Sequence, residues 1–61
     1  MEYKVGDIVK IRNTKIKIIH RDKNEFNQYV YTGETLEKNI ELGIKKGWIF
    51  AFIEEHIDKE L

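Results

Sequence analysis

The chain is expected to fold as an all-β domain, a small bent antiparallel barrel with a one-turn helix near its C-terminus. Three observations carry that expectation. Four short runs rich in Ile, Val, Tyr and Phe are separated by Gly, Asn and Asp, the punctuation of strands and turns. The 61 residues suffice for one domain with one core, since a chain of roughly 60 residues buries only about 60% of the surface it exposes unfolded. At that size a flat sheet would leave long edges exposed, whereas a bent one hides them.

Each element has its own reason. Val5-Gly6-Asp7 reads as a turn feeding a strand over Ile8-Val9-Lys10-Ile11-Arg12, with Val9 and Ile11 on one parity and Lys10 and Arg12 on the other. Asn13-Thr14 is the next turn. Lys15-Ile16-Lys17-Ile18 alternates, directing both Ile inward and both Lys outward. Ile19 breaks the alternation, so either a bulge or a sheet covered on both sides is expected there. Arg21–Glu25 reads as a polar loop, and Gln28-Tyr29-Val30-Tyr31-Thr32 as a third strand closed by Gly33.

Residues 34–46 are ambiguous. Leu36, Ile40 and Ile44 recur at helical spacing, with Glu34/Lys38 and Glu41/Lys45 as matching ion pairs. Ile40, Leu42 and Ile44 also alternate as a strand does, and Gly43 weakens a helix by about 1 kcal/mol. A strand-like or irregular excursion is the favoured reading. Trp48–Ile53 is the most apolar strand, filling both parities, and Ile53, Ile57 and Leu61 then set the period of a helical turn.

Eleven basic residues balance eleven acidic ones, which argues against a dedicated nucleic-acid binder, because such proteins depend on a basic excess to displace counterions. The charge is nevertheless uneven: residues 1–31 carry seven basic and four acidic side chains, and residues 32–61 the reverse. No apolar run reaches the roughly 18 residues of a membrane span, and Met1-Glu2-Tyr3-Lys4-Val5 has no apolar core of a signal peptide. With no Cys, nothing calls for an oxidising compartment. A cytoplasmic protein that does not engage membranes is expected.

Val5-Gly6-Asp7-Ile8-Val9-Lys10-Ile11 resembles the first strand of Src-homology-3-like small barrels, and Gly47–Ile57 resembles their end, where a strand runs into a one-turn helix. Small uncharacterised barrel proteins of bacteriophages and mobile elements look similar at both ends. The resemblance covers about a third of the chain and implies a fold and a mobile-element setting without an activity. The glycine-rich continuation of ribosomal and transcription-factor barrels is absent after Ile11, and no proline-peptide groove can be traced.

Catalysis is not expected. Cys and Ser are both absent, which removes the usual acyl-transfer nucleophiles, and the four glycines stand apart rather than forming a phosphate loop. His20 and His56 lie 36 positions apart, unlike the close ligand spacing of zinc sites. Neither a metal nor a cofactor is expected.

Two features remain for binding. Tyr29 and Tyr31 share one strand face, and Trp48, Phe50 and Phe52 share another. A core this small is expected to leave part of that apolar surface for a partner, which points to a protein-binding patch of Tyr29, Tyr31, Trp48 and Phe50, or to self-association through it. The competing arrangement has residues 34–46 covering those rings with Leu36, Ile40 and Ile44. Lys10, Arg12, Lys15 and Lys17, with Arg21, form the second feature, a basic face on two strands. It suits a nucleic-acid accessory role, with Tyr29 and Tyr31 stacking on bases, or simply keeps solvent-facing strands charged.

Overall fold

The computed structural model describes residues 2–59. Its single sheet has the order β1-β2-β3-β4, every pair antiparallel. The strands are β1 (Ile8–Ile11), β2 (Thr14–Lys23), β3 (Tyr29–Thr35) and β4 (Ile49–Phe52), and one 3-10 turn follows at Glu54–His56. The expected order of strands, excursion and final turn is the observed one. Met1 and Leu61, which entered the readings of the two chain ends, lie outside the described residues.

β1 and β2 form a hairpin whose two turn residues, Arg12 and Asn13, both have positive φ (49° and 62°). That backbone twist matches the twist of the strands it joins. Arg12 therefore belongs to the turn and not to the outward row of β1, where alternation had placed it. Its φ takes it out of the extended conformation that alternation assumes.

The bulge falls where Ile19 broke the pattern. Ile18 pairs with Gly33 while His20 pairs with Thr32, leaving Ile19 as the extra residue. One added residue reverses the facing of everything after it. Arg21 thus stands opposite Tyr31, and Lys23 opposite Tyr29, on the ring-bearing side rather than the solvent side. The expected polar loop from Arg21 onward is replaced by strand as far as Lys23. The connection itself spans residues 24–28, where the Asn24 side-chain oxygen accepts the Phe26 and Gln28 N–H groups.

Gly33 lies inside β3 rather than at its end. A Cβ there would stand 2.7 Å from Phe52 Cε1 and closer still to Ile16 Cγ2. Its lack of a side chain is what lets β2 and β4 bring Ile16 and Phe52 together over the β3 backbone. The core consists of Val9, Ile16, Ile18, Tyr31 and Phe52, with Tyr3, Ile11, Tyr29, Phe50 and Ile57 packed around it.

Residues 36–48 form an irregular excursion, neither helix nor named strand. Asn39 and Ile44 make an isolated antiparallel bridge, and Gly43 turns the chain with φ 69°. Buried threonines anchor it: the Asn39 amide donates to Thr14 Oγ1 (2.8 Å), and Thr35 Oγ1 donates to the Lys45 carbonyl (2.6 Å). Ile40 is 82% exposed and covers no ring, whereas Leu36 and Ile44 are half-buried and Ile44 reaches the side of Trp48 and Phe50, so the segment covers the rings only in part.

Both chain ends fasten the bent sheet. The Tyr3 N–H donates to the Tyr31 hydroxyl (3.2 Å), and Arg21 donates to the Tyr3 carbonyl (2.8 Å). At the other end, the Asp58 N–H donates to the Lys10 carbonyl (2.8 Å). The Asp58 carboxylate accepts the N–H groups of Arg12 (2.9 Å) and Asn13 (2.7 Å). β1 and β4 do not pair with each other, which leaves a seam in the barrel between them.

Candidate functional site

Of the rings proposed for recognition, Tyr29, Tyr31 and Phe50 lie in one row with Phe52 but not in one site. Tyr29 packs on Tyr31 (centroids 6.2 Å apart), Tyr31 on Phe52 (5.7 Å) and Phe52 on Phe50 (5.6 Å). The row exists because β3 and β4 turn these residues to the same side of the sheet, in the register Tyr31↔Phe52 and Gly33↔Phe50. Its middle is interior. Tyr31 is 1% exposed, and Tyr3 covers it edge-on at 5.9 Å. This corrects the proposed patch: Tyr31 is a core residue that no partner can touch, and it separates Tyr29 from Trp48 and Phe50.

The Tyr29 end is polar. The Arg21 guanidinium carbon lies 4.6 Å, and Lys23 Nζ 4.9 Å, from the Tyr29 ring centroid. These cations reach the ring because of the bulge at Ile19, and each such contact contributes about 0.5–1 kcal/mol at an exposed site. With that face occupied by the chain's own side chains, the ring is poorly placed to stack on a base.

The Trp48 end is apolar and concave. A cleft of about 550 Å³ lies at the seam, walled by Ile11, Ile44, Trp48, Ile49 and Phe50, with Ile16 and Thr35 beneath and Arg12 as its one charged lining residue. Thr35 positions Trp48 twice. Its N–H donates to the Trp48 carbonyl (2.9 Å), and its Oγ1 accepts the Trp48 N–H (2.9 Å). The backbone is thereby held while the indole remains 47% exposed. Of the expected patch, the structure brings Trp48 and Phe50 together here. Ile11 and Ile44 were missed as walls: each had been read as strand or cover packing, and the open seam beside β1 exposes Ile11 to the cleft while the excursion's path brings Ile44 to it.

The basic residues divide as well. Lys10 pairs directly with Lys15, and Lys17 sits between Ile8 and Glu34, all three exposed on the convex side. Arg12 stands apart in the hairpin turn. The lysines thus face away from the ring row, so a single strand of nucleic acid cannot lie across both at once. His20 is exposed opposite Thr32 on the convex side, whereas His56 accepts the Ile53 N–H at Nδ1 (3.2 Å). Among the described residues, no three His, Cys, Asp or Glu side chains converge as a metal site would require. Comparison with protein-family models, with curated proteins and with solved structures finds no significant match to this chain.

Proposed function

We propose that the chain is a non-catalytic binding module whose seam cleft receives an apolar side chain of a protein partner. The half-exposed Trp48, on a backbone held at both N–H and carbonyl by Thr35, carries this reading. A ring on a fixed backbone loses less entropy on binding than one on a mobile loop, and completing its burial is worth on the order of 1–2 kcal/mol. Arg12 at the edge favours a partner that bears a carboxylate beside the apolar group. The Src-homology-3-like barrel and the phage or mobile-element setting belong to the same proposal. They are supported by the resemblance at the two chain ends and by a bent meander fastened by its C-terminal segment. No described helix is long and apolar enough to cross a membrane, which accords with the proposed cytoplasmic location.

Trp48 is the only tryptophan, so its fluorescence reports on the cleft directly. Adding the partner is expected to shift the emission to the blue and to shield the ring from acrylamide. Trp48→Ala is expected to abolish capture of that partner in a pulldown while the thermal melt stays cooperative. Capture that survives Trp48→Ala overturns the reading. Binding of single-stranded nucleic acid that weakens steeply with salt would support the lysine face instead.

A further inference from the structure

Strand β4 ends the sheet, and among the described residues half of its backbone has no partner. The ladder with β3 opens where the Thr35 N–H donates to the Trp48 carbonyl, and bonded positions alternate along an antiparallel pair. In the observed register, Trp48, Phe50 and Phe52 turn their backbone groups to β3, and Ile49 and Ala51 turn theirs outward. Both Ile49 and Ala51 are exposed. Sheet edges are normally protected by a Lys, a Pro or a bulge, yet Ile49-Phe50-Ala51-Phe52 contains no such residue.

The flanking charges invert about Phe50. Lys46 lies four residues before it and Glu54 four after, and Lys45 five before and Glu55 five after. All four are exposed. We infer that β4 pairs antiparallel with β4 of a second copy of this chain, about a two-fold axis at Phe50. Ile49 of each copy then stands opposite Ala51 of the other, and each of these pairs exchanges both of its N–H···O bonds. The same axis brings Lys45 and Lys46 of one copy towards Glu55 and Glu54 of the other. A parallel arrangement would set like charges side by side, so the charge order selects the antiparallel one.

The contact is isologous and therefore closes at two copies. The opposite edge is less open, because the outward Lys10 carbonyl of β1 accepts the Asp58 N–H and a lysine stands on that edge. This inference does not depend on the cleft reading, since it uses the outward backbone groups of Ile49 and Ala51, although the Ile49 side chain also walls the cleft.

Sedimentation equilibrium of the full chain over a wide concentration range tests it. The expected result is a reversible shift from the chain mass to twice that mass. Ala51→Pro removes an outward N–H that β3 does not use, a position where an edge strand tolerates Pro. It is expected to give a monomer with a cooperative melt. Lys45→Glu with Lys46→Glu is expected to weaken the dimer roughly tenfold, and adding Glu54→Lys with Glu55→Lys to restore it. These charge variants decide the matter if the Pro variant does not fold. A monomer at every concentration, a folded Ala51→Pro dimer of unchanged affinity, or a quadruple charge variant no tighter than the double would each overturn the inference.

Discussion

Tyr31 shows how one residue can carry different meanings in a sequence and in a fold. Its ring fills the core, and its hydroxyl accepts the Tyr3 N–H. Tyr31→Phe keeps the packing and loses that bond, so a stability loss of about 1 kcal/mol is expected in denaturant titration. Tyr31→Ala is expected to cost about 3–5 kcal/mol, enough to leave a domain of this size largely unfolded by circular dichroism. Retained folding would return Tyr31 to the surface. Gly33 is the complementary case. Gly33→Ala places a methyl group against Ile16 and Phe52, and overpacking of this kind costs about 1–3 kcal/mol. A melt unchanged by that substitution would show that the two side chains can separate freely. Neither role was legible locally: Tyr31 shares a parity with Tyr29, and Gly33 looks like any strand-ending glycine until its neighbours are known.

At the scale of elements, the bulge in β2 and the turn before it have the largest consequences. Ile19 announced the bulge, because a second consecutive Ile violates alternation. Its effect downstream, which turns Arg21 and Lys23 towards Tyr29, depends on the pairing with β3. The Arg12-Asn13 turn is held from a distance by the Asp58 carboxylate. Asp58→Ala is expected to lower stability by about 1 kcal/mol, or roughly 4–8 °C in Tm for a domain this small. Asp58→Asn retains one acceptor and should fall between the two. An Asp58→Ala protein that melts like the parent would remove the Asp58 carboxylate from the list of fasteners. Thr35 has a comparable role in the excursion. Thr35→Val strands the Trp48 N–H and the Lys45 carbonyl, at an expected cost of about 1–3 kcal/mol, and should loosen Trp48 enough to change its fluorescence anisotropy.

For the whole molecule, size is the governing fact. Among the described residues five apolar side chains make the core, and domains of this length have only a few kcal/mol of net stability. Apolar surface is correspondingly left outside: Ile8, Phe26, Ile40, Trp48 and Ile49 are all exposed. Most of these are scattered and need no explanation. Trp48 and Ile49 differ because they adjoin a concave cleft and an unpaired strand edge. With an apolar cleft and Arg12 as the one charge at its edge, partner affinity is expected to fall only modestly between low and high salt in a fluorescence titration. A steep loss with salt would transfer the binding to the lysines of the convex face.

The order of the elements, their all-β character, the site of the bulge and the single closing turn follow from local chemistry: side-chain alternation, β-branching and turn-forming residues act over a few positions. Which rings become core, which become surface, and where the barrel stays open were decided by pairing between distant strands. Register assigns each side chain its neighbours, and register depends on residues far apart in the chain.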